Sequence, residues 1–454
     1  MFRRRGSSTG DMTGGNIISQ LVYFAVPLLL GNLFQQLYNA VDAIVVGNFV
    51  SKEALAAVGS TAPLINMIIA FAMGMFAGAG VMASRYFGAR DRKSLLKAIH
   101  TTIALSAVMG VVLSVIGIVW LRPLLRFMGT PEEIMPDAYT YLVIYFGGLI
   151  ALSIYNAGAS ILNALGNSRQ PLFFLIVSCI LNIFGDLMFV NVFHWGVAGV
   201  AVSTVIAEAV AMVLALMALH KGKGERLLNF KDLRVDFPIL KQIVGIGLPS
   251  GIQGTIVSFS NTLVQSYFNG LGAISLAGYS AAQKIDAFAQ LPVQTMAIAV
   301  ATFVSQNLGA GQAKRARLGV RQSMLLGVPV TVLISTITLI FGRGLLRAFS
   351  PDDEVLEAGM RYIWVFAPFQ FVLSGTQIIP GALRGAGSTR FPTFVCIFSF
   401  VALRQIYLFF ITRINYSITT VAMGYPLTWM IAASAIFIFY LRSDWSKFER
   451  NETA

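Results

Sequence analysis

The sequence predicts an all-α membrane protein: twelve transmembrane helices in two six-helix lobes related by a parallel pseudo-two-fold repeat. Three observations carry that prediction. Of 454 residues, 56% are apolar and only 12% are charged, about half the charge of an ordinary soluble chain. The apolar residues fall into runs near the length of about 20 that a spanning helix needs, enough for about twelve of them. The same signature residues also recur at one constant spacing along the chain. Together these exclude a soluble enzyme and a disordered or collagen-like chain.

In order, the runs cover 17–47, 54–82, 95–121, 137–160, 170–191 and 196–220, then 240–268, 274–304, 317–341, 357–381, 390–412 and 417–441. Several exceed the bilayer's need, which implies tilt or extension past it. A polar insert at 221–239 separates the halves, giving a leading tail at 1–16, lobes at 17–220 and 240–441, and a trailing tail at 442–454. The basic start at Met1 is followed by polar residues through Asn16 rather than an apolar stretch, so no cleavable signal is expected.

The halves match. Leu124-Leu125-Arg126 recurs as Leu345-Leu346-Arg347, Phe87-Gly88-Ala89 as Leu308-Gly309-Ala310, and Gly166-x-x-Arg169-x-Pro171 as Gly387-x-x-Arg390-x-Pro392, all 221 residues apart. Near the start, Pro27 meets Pro249 at 222. An even number of spans separates equivalents, so the repeats are parallel. The net charge of +13 would suggest nucleic acid in a soluble chain. Here Lys52, Arg122, Arg126, Arg343, Arg347, Arg361 and Arg413 fall on one side, and the remaining loop Lys and Arg fall on the other. The positive-inside rule then puts both termini in the cytoplasm of a multi-pass plasma (cell inner) membrane protein and explains the charge without nucleic acid. Cys179 and Cys396 sit in apolar runs and are expected as small buried hydrophobes.

Six ionisable residues remain within spans: Asp42, Asp186, Glu208, Lys284, Asp286 and Arg404. Each charge at mid-bilayer costs at least about 2.5–3.5 kcal/mol, so each needs a reason. Asp42 shares a helical face with Gln35 and Asn39, Asn182 lies four residues before Asp186, and Thr204 four before Glu208. With the amino terminus inside, all three pairs fall at similar depth in the outer half of the membrane. Carboxylate, amide and hydroxyl oxygens suit a hard monovalent cation, and equally a proton shared by two acids. In the second half, Gln283, Asp286, Gln290 and Gln294 form one face of span 8. Two readings stay open there: a buried ion pair with Arg404 on span 11, or a substrate or gating role. Pro27, Pro249, Pro292 and Pro380 break apolar runs, each permitting a kink. No G-x-x-x-x-G-K-[ST] phosphate loop and no H-E-x-x-H occurs, so neither ATP hydrolysis by that route nor a zinc protease is expected.

The stretch Pro27-Leu-Leu-Leu-Gly31 through Gln36-Leu-Tyr-Asn-Ala-Val-Asp42, then Val46-Gly47 and Ala54-Leu-Ala-Ala-Val-Gly59, resembles the multidrug and toxic compound extrusion (MATE) transporters, bacterial branch. Asn163-Ala-Leu-Gly-Asn-Ser-Arg169-x-Pro171 and Arg384-Gly-Ala-Gly-Ser-Thr-Arg390-x-Pro392 are similar to that family's paired cytoplasmic motif. The resemblance implies two lobes in a V and a secondary antiporter that exports organic cationic or amphipathic small molecules by alternating access. It implies no cofactor, H⁺ or Na⁺ as coupling ion, and a monomer in the lipid bilayer. It maps the cation site onto Asp42, Asn182, Asp186 and Thr204, the metal ligands if Na⁺ is the ion, with Asn156 as a neighbour and Pro27 as a hinge. One branch uses acids on spans 7 and 10, and 253–265 and 368–380 contain none. A lipid or lipid-linked-precursor flippase of related fold is the alternative, though its phosphate-binding cavity would need more cations than Lys284 and Arg404.

Overall fold

The structure, a computed structural model, describes residues 10–221 and 226–449. The rest of both tails, with 222–225 of the insert, lies outside the described residues. Every long element is helical, and no strand occurs among the described residues. The first repeat comprises α1 (Ile17–Phe49), α2 (Lys52–Gly88), α3 (Arg92–Phe127), α4 (Met135–Gly147), α5 (Leu149–Ala164), α6 (Arg169–Leu187) and α7 (Gly196–His220). The second comprises α8 (Phe237–Asn269), α9 (Ala273–Gly309), α10 (Ala313–Arg347), α11 (Asp353–Phe366), α12 (Gln370–Gly385), α13 (Arg390–Ile397), α14 (Arg404–Ile414) and α15 (Ile418–Arg442); the short α16 (Trp445–Glu449) follows. Among the described residues eleven helices are long and apolar enough to cross a membrane. A twelfth span follows if α4 and α5, bent by 48° at Gly148, count as one.

Helices α2 and α9 each run 37 residues, about 55 Å at 1.5 Å per residue, well beyond the 30 Å hydrocarbon core. At the start of α2, Ser51 Oγ accepts from Ala54 N at 3.0 Å, and at the start of α3 Asp91 Oδ1 accepts from Ser94 N at 3.1 Å, each satisfying an orphan N–H of the first turn; α9 begins after Gly272 (φ 92°) without a side-chain cap.

The duplication is written into the backbone. Arg90 (φ 57°) and Gly311 (φ 71°) both take the left-handed conformation, as do Gly166 (φ 75°) and Gly387 (φ 87°), and each pair is 221 positions apart. At 90 an arginine holds a conformation that glycine adopts more cheaply. Interior packing repeats too. In the first repeat Ser160 Oγ donates to the Phe76 carbonyl at 2.7 Å, and Ser84 Oγ to that of Ala164 at 3.3 Å. In the second repeat the matching positions Gly381 and Gly385 face the main chain of Ala297 and Ala301. Small residues four apart let helices approach to backbone contact, which substitutes for the hydrophobic drive that lipid removes.

The chain resolves into two compact units. One is built on Val26–Leu248, the other on Pro249 onward together with Met12–Ala25. Met12 is held in the second unit: its N–H donates to Gln306 Oε1 at 2.9 Å and its carbonyl accepts from Asn307 Nδ2 at 3.2 Å. Helices α1 and α8 therefore each change unit part-way along, beside Pro27 and Pro249 respectively.

After 225 the insert is bound to the first unit. The Leu227 and Leu228 N–H groups donate to the Leu219 carbonyl at 3.1 and 3.0 Å, and Leu228 is fully buried. Asn229 N–H donates to His100 Nε2 at 3.1 Å while His100 Nδ1 lies 2.7 Å from the Leu96 carbonyl, so the ring carries its proton on Nδ1. Asp236 pairs with Lys97 at 2.8 Å and accepts from Ile239 N–H at 3.2 Å. Lys97, then the Ile239 N–H, holds its carboxyl below the usual carboxylate range. A depressed folded value stabilises above the unfolded value of about 3.9 and is lost as pH falls through the folded one. Hydrogen exchange over 226–239 should therefore stay slow from neutral pH down to about 4 and accelerate below. His100→Ala should accelerate it already at neutral pH, about 5- to 150-fold for the 1–3 kcal/mol of an unsatisfied amide. Exchange in that variant equal to wild type would show that His100 does not hold the insert.

Candidate functional site

The first repeat assembles its polar residues through a tight reversal between α6 and α7. After Asp186 the helix widens into a π turn, Met188–Val192. The chain then turns on His194 (φ 53°) and Gly196 (φ 54°) under the rings of Phe189 and Trp195, stacked at 5.0 Å. Gly185 makes the close approach possible, because a Cβ there would strike Ser203 Oγ. Ser203 Oγ instead donates to the Asn182 carbonyl at 2.8 Å, and Asn182 Nδ2 to Thr204 Oγ1 at 3.3 Å. Asn182 and Thr204 are thus fixed from both helices.

Asp42 enters from α1. Its carboxyl lies beside that of Asp186 and the amide of Asn182, and Ser203 stands next to Asp186. Asp42, Asn182, Asp186 and Thr204 are all buried. Asp42 Oδ1, Asn182 Oδ1, both carboxyl oxygens of Asp186 and Glu208 Oε2 are shielded from solvent and receive no hydrogen bond. Buried acceptors almost always find a donor, and the four that do not on the neighbouring Asp42, Asn182 and Asp186 form an oxygen-rich set suited to a proton or a cation. A cavity of about 10 Å³ lies beside them, lined by Gln35, Tyr38, Cys179, Asn182, Thr204 and Glu208 among others. That is the space of about one water molecule.

The structure brings Asp42, Asn182, Asp186, Thr204, Glu208 and Gln35 into one neighbourhood. Asn39 is not part of it: it is exposed, and Tyr38 takes the place beside Gln35. At 100° per residue, Gln35 sits about 20° from Asp42 around α1, Tyr38 about 40° to one side and Asn39 about 60° to the other. Asn156 gives its amide to the Leu152 carbonyl at 2.8 Å on its own helix. Tyr38, Cys179 and Ser203 were not expected. Cys179, Asn182 and Asp186 are spaced three and four apart, the signal that would have found the cysteine.

Of the two readings left open in the second repeat, the ion pair between Asp286 and Arg404 does not form. Asp286 accepts from Gln370 Nε2 at 2.6 Å and from Gln290 Nε2, and Gln370 Oε1 accepts from Ser335 Oγ at 2.8 Å. Arg404 follows a π turn, Phe398–Leu403, and donates to Asn261 Oδ1 at 3.0 Å and to Thr428 Oγ1 at 3.1 Å, with Tyr425's ring 4.5 Å from its guanidinium carbon. Neutral amides and hydroxyls, plus an aromatic face, satisfy each charge separately. Gln283 donates to the Tyr279 hydroxyl, and Gln283 and Gln294 are exposed. No three His, Cys, Asp or Glu side chains converge as metal ligands among the described residues.

Two repeats with eleven, or up to twelve, candidate spans among the described residues define a multi-pass membrane protein. The profile of the MatE family matches the chain twice, over residues 27–188 and 249–410, the same offset that joins Pro27 to Pro249. The chain belongs to that family, the MATE transporters. It is 28% identical over 427 residues to the "Probable multidrug resistance protein YoeA" of Bacillus subtilis, covering 92% of each chain. It is 27% identical to the "Probable multidrug resistance protein YpnP" of the same organism, over 96% of this chain and 97% of that one. A solved multidrug resistance MATE transporter in an outward-facing conformation shares the fold, with a TM-score of 0.90 at 20% identity over 97% of this chain and all of the other.

Proposed function

We propose that this MATE transporter is a secondary antiporter of the plasma membrane, with both termini cytoplasmic. It exports organic cationic or amphipathic molecules in exchange for H⁺ or Na⁺. The observation that carries the reading is the cluster of four buried, undonated oxygens on Asp42, Asn182 and Asp186. Two neighbouring buried carboxyls are disfavoured as a pair of charges, and a proton or a cation relieves that repulsion. Loading and unloading that position changes the charge of the first unit's interior, and an ion shifts a two-state balance only through such a difference between states. Asn182 and Thr204 contribute oxygens if the ion is Na⁺, which prefers hard oxygen ligands. Pro27 stands where α1 passes from one unit to the other. The N–H that proline lacks makes this the natural bending point of the helix that carries Asp42.

Reconstituted protein, loaded with a fluorescent organic cation and given a pH gradient or a sodium gradient separately, tests this. One gradient should drive the cation uphill, and a tenfold ion gradient at one-for-one exchange should sustain about tenfold accumulation. Equilibration without accumulation under both gradients would overturn antiport. Movement of a fluorescent phospholipid between leaflets would instead favour the flippase.

A further inference from the structure

We propose that the second repeat carries a site for an anionic phospholipid headgroup, in a groove of about 610 Å³ formed by α10, α12 and α15. One wall is cationic. Lys314, Arg317 and Arg321, spaced three and four apart, share one face of the first turns of α10, and all three are exposed. Arg317 and Arg321 both lie close to the Tyr440 hydroxyl. The other wall is apolar, with Phe437 and Leu441 of α15, both about half exposed. Among the described residues no acidic side chain lines the groove. A volume of this size takes a drug-sized ligand, and three cations above an apolar wall match a phosphodiester whose acyl chains run down the helix. Basic pockets between spans at a membrane face are recognised headgroup sites. The surroundings favour a lipid over a soluble anion, because α10 has the smallest buried share of the eleven single spans and so shows most of its length to hydrocarbon.

The duplication shows that the scaffold does not require the two arginines, whereas Lys314 is matched by Lys93. Where α10 has Arg317 and Arg321, α3 has Leu96 and His100, and the end of α7 near Leu219 stands where the end of α15 near Leu441 stands. In the first repeat Leu227 and Leu228 bond to Leu219, and Asn229 bonds to His100. In the second repeat α16 takes the corresponding place, with Trp445 and Phe448 buried and the Trp445 ring 5.8 Å from that of Tyr440, and Arg317 and Arg321 remain exposed beside the groove.

The test uses the purified full chain in neutral detergent, with bound lipid read by native mass spectrometry. Phosphatidylglycerol and phosphatidylcholine of the same acyl chains are offered in competition, with inorganic phosphate as a separate arm. Phosphatidylglycerol should be retained over phosphatidylcholine, and Arg317→Gln with Arg321→Gln should cut that preference about 30-fold, for two surface charges at about fivefold each. Arg317→Lys with Arg321→Lys should keep it, and so should Arg343→Gln with Arg347→Gln at the far end of α10. Equal retention of both lipids, an unchanged preference in the double Gln variant, or displacement of the lipid by millimolar phosphate would each overturn the proposal. A folded monomer peak from every variant separates loss of binding from loss of structure.

Discussion

Asp42→Asn and Asp186→Asn should each yield a folded protein that no longer couples efflux to an ion gradient. Asparagine matches aspartate in volume, and its amide can donate to the carboxyl left behind. The pair Asp42–Asp186, which now needs a proton or cation, would then be satisfied by the variant's own N–H. Folding is thereby preserved, and thermal stability in detergent should not fall. What disappears is the site's ability to bind an ion in one state and release it in the other. Coupling free energies of 1–3 kcal/mol correspond to about 5- to 150-fold, so gradient-driven efflux should drop by that range while passive equilibration persists. Thr204→Val separates the two candidate ions. It removes a hydroxyl that a sodium ion would use, but leaves both carboxyls for a proton. Efflux by Asp42→Asn and Asp186→Asn at the wild-type rate, under the same imposed gradient, would remove the first-repeat acids from the mechanism.

Much of this arrangement is legible in the sequence, for a definite reason. Bilayer length and charge cost act on every residue of a span, so composition, loop charge and intramembrane acids report the twelve spans and single out Asp42 and Asp186 directly. The i, i+4 spacing of Asn182 with Asp186 and of Thr204 with Glu208 reports shared faces. Three things escape such reading. Which of two flanking neighbours lines a cavity depends on the helix's rotation, so Asn39 was expected where Tyr38 stands. Whether two lone charges meet depends on turns that periodicity does not encode. The π turn before Arg404 and the glutamines at 290 and 370 give Arg404 and Asp286 separate partners. Finally, the apolar runs end before the helices do, because a span continues into water wherever its polar residues favour helix. The point at which α1 and α8 pass between units was marked in sequence only by Pro27 and Pro249.

Gly381→Leu should abolish the packing of the second unit, and its cause can be separated from a general intolerance of side chains. A Cβ at 381 would lie 2.6 Å from the Ala297 carbonyl oxygen and 3.1 Å from that residue's Cα, closer than real Cβ contacts come. The obstacle is main chain within α9, and it cannot rotate away. Overpacking of this kind costs about 1–3 kcal/mol for small additions and more for a whole leucine, a large fraction of a marginal stability. Even Gly381→Ala should lower the melting temperature, although alanine favours helix over glycine by about 1 kcal/mol. Gly327 supplies the contrast. A Cβ there would meet first the Cδ1 atom of Ile378, the free end of a flexible side chain, so Gly327→Ala should be close to neutral once Ile378 changes rotamer. Ala297→Gly should not rescue Gly381→Ala, since removing a methyl leaves the carbonyl in place. If both alanine variants melt alike, or if Ala297→Gly restores Gly381→Ala, the helices are not held at backbone contact.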